Sequence, residues 1–210
     1  MQKSGSVIPL FCVYLGVNAM FQLQNSLQFI HVDTVYIKAL HNVCSEVYYR
    51  ERGYDNKPYI GILLNAAGYE YVIPLTSAKE KHKTWRDSDK NRYLLYEYAS
   101  IDDLSVKDIW VPAEQGKVKH ILAAIDIRKM IPVKKELYAV VNLNDTAGDS
   151  LEMKKYKDLL NKEYALCLKI KNQLLRNCSI LYNRQMQTRI VSKYCCDFRL
   201  LEHICDEYVR

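Results

Sequence analysis

Two apolar runs joined by a short polar connection constrain the fold of this 210-residue chain more than any other feature. The runs cover residues 59–64 and 69–75, and the sequence between them is Asn-Ala-Ala-Gly. Short strands of this composition, separated by a Gly-containing connection, are typical of a β-hairpin. We therefore predict an antiparallel hairpin over residues 59–75.

The residues that follow this hairpin suit a bound phosphate. We expect the second strand to end at Pro74, so that the backbone N–H groups of the next residues lie outside the ladder. Thr76, Ser77 and Lys79 then add two hydroxyl donors and a cation. Lys57 precedes the first strand and should reach the same end of the hairpin. The commoner role of a Thr-Ser pair is to cap a helix, and a helix N-terminus also binds anions.

Further motifs follow one another from about Gln28 to the C-terminus. They are K-x-x-I-G-I and Y-x-x-P-L-T-S-x-K in the hairpin, A-I-D-I-R-K-M-I-P-V at 124–133, Y-K-D-L-L at 156–160, and C-D-F-R-L-L-E at 196–202. With these motifs in this order, the sequence resembles the ToxN/AbiQ family, the protein toxins of type III toxin–antitoxin systems.

The resemblance implies a metal-independent, sequence-selective endoribonuclease without a cofactor. Family members cut RNA by attack of the neighbouring 2′-hydroxyl, leave a 2′,3′-cyclic phosphate, and act in abortive phage infection or plasmid maintenance. Their partners are substrate RNA and a small repetitive antitoxin RNA, in a protein–RNA hetero-oligomer. Their fold is α+β, with a twisted antiparallel sheet packed against helices, like that of the MazF/Kid toxins.

By the same resemblance, four residues match the active-site positions of the family. Thr76 and Ser77 would donate hydrogen bonds to the scissile phosphate, and Lys79 would stabilise the developing charge. Lys57 would stabilise charge as well, or act as an acid or base if neighbouring cations lower its pKa.

Two further candidates fit the family pattern less closely. Members carry a tyrosine shortly before the first lysine, and Tyr54 is the nearest one here, displaced by about one residue. Members also carry a tryptophan soon after the second lysine, whereas Trp85 comes six residues after Lys79. His82 lies between them and is a candidate for acid–base chemistry, because histidine titrates near neutral pH. The alternative is a solvated histidine in a charged loop.

The charge distribution favours a polyanionic partner. The formal net charge is +6, and no carboxylate lies between Glu163 and Asp197. The cations that we predict to bind RNA in this acid-free segment are Lys169, Lys171, Arg176, Arg184, Arg189 and Lys193. Such a segment forgoes intrahelical ion pairs and suits contact with phosphates. The alternative is a solvated basic helix, and a non-catalytic RNA-binding module would use the same surface.

The seven cysteines favour neither a disulfide framework nor a metal site. Their odd number, irregular spacing and adjacent Cys195-Cys196 pair are unlike secreted scaffolds. His203 and Cys205 lie near that pair, but no C-x-x-C or H-x-x-x-H spacing is present. We therefore expect reduced, buried thiols and no metal.

Residues 1–27 contain an apolar stretch that superficially resembles a signal peptide. The stretch is short and interrupted for a membrane span. Since the family-like region begins at about residue 28, we predict an N-terminal extension over 1–27, a single toxin domain over 28–210, and a cytoplasmic protein. A secreted or membrane-tethered protein is the alternative.

The remaining patterns complete an α+β prediction. Asp33 is a candidate N-cap. We predict strands at 29–32, 92–98, 109–111, 118–125 and 137–143, helices at 33–49, 153–174, 180–194 and 198–208, and a helical or mobile segment at 80–91.

Overall fold

A computed structural model describes residues 20–23, 27–49, 60–66 and 68–208. The strands in this part of the chain are Phe29–Val32 (β1), Ile60–Ala66 (β2), Tyr69–Ser77 (β3), Arg92–Ala99 (β4), Ile109–Pro112 (β5), Val118–Asp126 (β6), Ile131–Val133 (β7) and Tyr138–Val140 (β8). The α-helices are Thr34–Val43 (α1), Leu151–Thr188 (α2) and Phe198–Glu207 (α3).

The strands form one antiparallel sheet in the spatial order β4-β6-β3-β2-β1-β8, with β5 added to β6 and β7 added to β3. The main core lies between this sheet and the helices, and Phe29, Tyr71 and Tyr93 are among its largest buried side chains. A smaller cluster of Leu94 and Ile121 belongs to β4 and β6. The predicted α+β class is therefore confirmed, while the likeness to MazF/Kid toxins stays a prediction.

The predicted hairpin is confirmed as β2 and β3, with Gly61 opposite Pro74 and Ala66 opposite Tyr69. Gly68 has a φ of +90° in the connecting turn. A side chain is strained at such a φ, which explains a glycine at this position.

The predicted end of β3 at Pro74 is wrong, because the strand continues to Ser77. Up to Val72 its outer neighbour is β7, and from Leu75 it is β6. Pro74 lies at this change of partner, where a residue without an N–H group can be accommodated.

The helical predictions need two corrections. The helix capped by Asp33, whose carboxylate accepts the amide of Tyr36 at 2.9 Å, ends at Val43 and not near residue 49. The chain turns there so that Val47 enters the core. The predicted break near residue 180 is absent, since α2 runs unbroken to Thr188 and keeps Tyr182 buried.

The family-like segment 124–133 is not one strand, because β6 ends at Asp126 and a 3₁₀ turn, Ile127–Lys129, separates it from β7. The predicted strand at 137–143 is reduced to β8, which follows a second 3₁₀ turn, Lys135–Leu137. Both turns interrupt the extended backbone, and periodicity alone does not show such short interruptions.

The C-terminal motif positions α3 against β3. Asp197 is the N-cap of α3 and accepts the amide of Leu200. Glu202 accepts hydrogen bonds from the hydroxyls of Tyr71 and Tyr182, both at 2.7 Å. Burial raises the pKa of Glu202. The motif therefore acts in packing at a distance from the end of β3.

Residues just before the predicted domain boundary pack against the core. Phe21 is only 2 % exposed, lies edge-on to Tyr71 and Tyr182, and donates its amide to the hydroxyl of Ser179 at 2.9 Å. Leu27 is also buried. The limits of the extension and of the toxin domain stay a prediction, and residues 1–19 lie outside the described residues.

Six of the seven cysteines are described, and none of them forms a disulfide. The five that are buried are Cys167, Cys178, Cys195, Cys196 and Cys205. Reduced cysteines in the core are what the sequence predicts. No helix in the described part of the chain is long and apolar enough to cross a membrane.

Candidate active site

The last residues of β3 carry the predicted phosphate-binding motif. The prediction that their amides lie outside the ladder is wrong. Thr76 pairs with Ala124 of β6, and the amide of Ala78 donates to the carbonyl of Leu122 at 3.2 Å. The Thr76 hydroxyl donates to the Ala124 carbonyl at 3.1 Å. Thr76 therefore uses its side-chain donor within the sheet, and its geometry favours anchoring β3 to β6.

Ser77 and Lys79 differ from Thr76, because both of their side chains are exposed. Side chains two residues apart in extended backbone lie on the same face, about 7 Å apart. The backbone of Lys79 is extended, with φ −143° and ψ 157°. Within the described residues, the Ser77 hydroxyl forms no side-chain hydrogen bond. A hydroxyl donor and an ammonium group thus share one face at a strand end, an arrangement that suits an anion.

His82 is not a solvated loop residue, because it is only 1 % exposed in a 3₁₀ turn, Glu80–Thr84. Its Nδ1 accepts the amide of Lys79 at 3.1 Å, and its own amide donates to the Lys79 carbonyl at 2.8 Å. Burial, followed by the charges of Lys81 and Lys79, lowers the pKa of His82 to about 4. The ring is therefore neutral at pH 7, and the proton of the neutral ring lies on Nε2.

Trp85 closes this turn. Its ring centroid lies 4.6 Å from that of His82 and 4.6 Å from the guanidinium carbon of Arg92. Trp85 is half-buried and packs against the cluster that contains Leu94. Its position favours packing of the turn over stacking on an RNA base.

Lys57 and Tyr54 lie outside the described residues. Gly61, one residue after the start of β2, pairs with Pro74. The chain therefore enters β2 at the end of the hairpin that carries Thr76 and Ser77, as the antiparallel prediction requires.

All six predicted RNA-binding cations are exposed. They do not form a single face, because residues advance by about 100° around a helix. Lys169 and Arg176 lie about 20° apart around α2, whereas Lys171 lies about 160° from Lys169. Arg189 ends the helix with a φ of 58°, and Lys193 lies in the following loop.

Arg176 and Arg184 line a groove of about 810 Å³ along the outer side of α2. Phe21 and Ser179 contribute to its wall. Two arginines on one groove supply planar donors that match phosphate oxygens.

Tyr194 follows Lys193 and adds an aromatic ring to the surface that carries the predicted RNA-binding cations. The sequence does not single this residue out. Its side chain is 54 % exposed, and its φ is 65°, which is uncommon for a residue with a side chain. The Lys193 ammonium lies 4.8 Å from its ring centroid and the Arg128 guanidinium 6.0 Å. No local signal could have found this pairing, because Arg128 is remote in sequence.

The described residues contain no group of His, Cys, Asp or Glu side chains that could hold a metal ion. Cys195 is buried against Gln185, whereas His203 is exposed and faces Glu207.

A basic α+β domain with an exposed hydroxyl–ammonium pair and a groove lined by arginines is suited to binding a polyanion. Comparison with known families is more specific: the family model described as toxin ToxN of type III toxin–antitoxin systems matches residues 28–206. The chain therefore belongs to the ToxN toxin family.

Two curated relatives agree with this assignment. The endoribonuclease ToxN of Bacillus thuringiensis subsp. kurstaki is 25 % identical over 185 residues, which cover 84 % of this chain and 81 % of that protein. The endoribonuclease ToxN of Pectobacterium atrosepticum is 27 % identical over 150 residues, which cover 71 % and 74 %.

Solved structures show the same fold. AbiQ, a lactococcal anti-phage endoribonuclease of the type III class, superposes with a TM-score of 0.58 at 21 % identity, over 87 % of this chain and 98 % of AbiQ. A protein from a bacterial antiviral system regulated by a processed non-coding RNA superposes with a TM-score of 0.65 at 20 % identity, over 87 % and 99 %. At these identities the likeness concerns the fold alone.

Proposed function

We propose that this protein is a sequence-selective endoribonuclease toxin, held inactive by a small repetitive antitoxin RNA and acting in the cytoplasm in phage defence or plasmid maintenance. Membership of the ToxN family supports the class of activity. The observation that carries the proposal for the site is the exposed pair of Ser77 and Lys79 on one face at the end of β3.

Cleavage forms a bond from the 2′-oxygen to phosphorus and breaks the bond from phosphorus to the 5′-oxygen. The 2′-hydroxyl proton leaves to a base, and the 5′-oxygen receives a proton. The Ser77 hydroxyl donates to a phosphate oxygen, and the Lys79 ammonium stabilises the extra negative charge of the phosphorane. Groups fixed before the reaction lower the barrier without a metal ion.

The proposal also concerns the groups that accept the 2′-hydroxyl proton and donate a proton to the 5′-oxygen. Lys57 and Tyr54 are the proposed candidates, since the chain before β2 enters at the Ser77 end of β3. His82 is less suited to this role, because its ring is only 1 % exposed and its pKa of about 4 makes it a weak base at neutral pH.

The catalytic experiment measures cleavage of RNA by the purified protein and the ends of the products. Ser77→Ala and Lys79→Ala should each lower the rate by about a hundredfold or more, the usual loss for one such donor. Thr76→Val is the matched comparison. It loses an internal hydrogen bond and should therefore lower the free energy of unfolding, whereas cleavage by the folded protein should change little.

The products should end in a 2′,3′-cyclic phosphate and a 5′-hydroxyl, and EDTA should leave the rate unchanged. Products with a 5′-phosphate, or loss of activity on chelation, would replace this mechanism with metal-assisted hydrolysis. Tight RNA binding by wild-type protein that cuts none of its ligands would instead favour the non-catalytic RNA-binding module.

The basic surface is proposed to bind both substrate and antitoxin RNA, so that the antitoxin inhibits by occupying it. Arg176 and Arg184 in the groove supply phosphate contacts, and the exposed ring of Tyr194 supplies a surface for base stacking. Because both RNAs share this surface, binding of one should exclude the other.

Salt-dependent binding tests the assignment of this surface. The double variant Arg176→Glu, Arg184→Glu should weaken binding of both RNAs and reduce the slope of log K against log salt by about 0.7 per lost contact. Lys171→Glu changes the charge on another side of the same helix and should bind nearly as wild type does. Equal effects of the two variants would indicate general attraction in place of a defined groove.

A further inference from the structure

The turn after the Ser77–Lys79 pair contains a buried polar contact that the mechanism does not use. The amide of Lys79 donates to Nδ1 of His82 at 3.1 Å, and the amide of His82 donates to the carbonyl of Lys79 at 2.8 Å. The two residues thus bond to each other through both backbone groups of Lys79. The backbone that carries the Lys79 side chain is fixed at this point.

The contact depends on a neutral ring with a lone pair at Nδ1. Burial, assisted by the positive charges of Lys81 and Lys79, lowers the pKa of His82 to about 4, so that this lone pair is present at neutral pH. A protonated ring would place a second donor against the Lys79 amide.

The ring of His82 is itself held in place. Trp85 packs against it with a centroid distance of 4.6 Å, and the Arg92 guanidinium lies 4.6 Å from the Trp85 ring. Arg92 belongs to β4 and is bonded to Asp89, with 2.9 Å between Nε and the carboxylate. The turn is therefore linked to the sheet by a row of stacked side chains.

We propose that His82 is a positioning residue, which fixes the backbone of Lys79 through Nδ1 so that the Lys79 ammonium lies on the same face as the Ser77 hydroxyl. His82 acts through Lys79 and does not touch the RNA. The inference rests on the proposed function, and it replaces the acid–base role that the sequence suggested. A displacement of a catalytic group by about 1 Å can cost about a hundredfold in rate.

Three substitutions distinguish the effect of the hydrogen-bond acceptor from the effect of losing the ring. The Oδ1 atom of Asn is attached at Cγ, as Nδ1 of His is, so that His82→Asn keeps an acceptor at that position. His82→Gln moves the acceptor one bond further out, and His82→Leu removes it. All three lose the ring-to-ring contact with Trp85.

We expect the kcat of His82→Asn to stay within about threefold of wild type, whereas His82→Gln and His82→Leu lose tenfold to a hundredfold. Substrate and antitoxin affinity should be the same in all three. Thr84→Ala is the control within the same turn, because it removes only the hydrogen bond from Thr84 to the Lys81 carbonyl. Its kcat should not change.

Amide hydrogen exchange gives a readout that does not depend on activity. The Lys79 amide should be protected in wild type and His82→Asn and should exchange faster in His82→Gln and His82→Leu at equal folded fraction. Equal kcat and equal exchange in the Asn, Gln and Leu variants would overturn the positioning role. If wild-type protein cuts no RNA, the proposed function fails, while the exchange result still decides whether His82 holds Lys79.

Discussion

Glu163 is a buried carboxylate in the N-terminal half of α2 without a partner among the described residues. It is 5 % exposed, and no hydrogen bond or ion pair reaches it from the described part of the chain. Burial raises its pKa from 4.5 to about 7. Because an unpaired buried charge is costly, this residue should make the stability of the fold depend on pH.

The sign follows from the two pKa values. Between pH 4.5 and about 7 the unfolded chain has released the Glu163 proton and the folded chain retains it. Stability therefore falls as pH rises through this range and is reduced by a constant amount above it. One pKa unit corresponds to about 1.4 kcal/mol, so that the loss is about 3 kcal/mol.

Glu163→Gln removes the ionisation and keeps the shape of the side chain. At pH 8 the variant should be about 3 kcal/mol more stable than wild type, and at pH 4.5 the two should be nearly equal. The assay is urea unfolding followed by circular dichroism at several pH values. Glu152→Gln, at an exposed position in the first turn of α2, is the control and should show no comparable gain. A difference between Glu163→Gln and wild type that stays constant from pH 4.5 to 8 would refute the argument.

The packing of the two ends of the chain gives further predictions. A chain that starts at Met20 should be as stable as the full chain in urea unfolding. A chain that starts at Leu27 loses Phe21 and should be about 3 kcal/mol less stable. Equal stability of the two would show that the packed domain begins near residue 28. Glu202→Ala leaves two buried tyrosine hydroxyls without their acceptor and should cost about 2–4 kcal/mol. Glu202→Gln keeps the Oε1 acceptor that Tyr71 and Tyr182 share and should cost less than half as much; equal losses would assign the effect to packing.

The elements that the sequence predicts correctly are those with local causes. Asp33 has the side chain and the following apolar pattern of an N-cap, and the hairpin has two apolar strands around a glycine-containing turn. Asp197 caps α3 for the same reason. The two caps bond to amides three positions later, and Ala66 and Tyr69, which close the hairpin, are equally close in sequence, so that a single sequence contains the information.

The errors lie where distant residues decide. The strand β3 continues through Pro74 because β6, about 50 residues later, replaces β7 as its partner. The charges of Glu80, Lys81 and Lys83 favour a solvated turn, but contacts with Trp85 bury His82 within it. Propensity and charge patterns do not contain these tertiary contacts, so that the sequence does not predict the geometry around Ser77 and Lys79.

The arrangement of β3 explains why packing motifs far from the site matter for the proposed chemistry. Glu202 on α3 accepts a hydrogen bond from the hydroxyl of Tyr71, and five residues further along the same strand Thr76 is bonded to Ala124 of β6. Both bonds restrain β3 before it reaches Ser77. Since groups on a restrained strand keep their geometry better than groups on a loop, Ser77 can be presented with little reorganisation. Lys79 lies beyond the strand and lacks this support, which is why a buried contact from the following turn is needed to fix it.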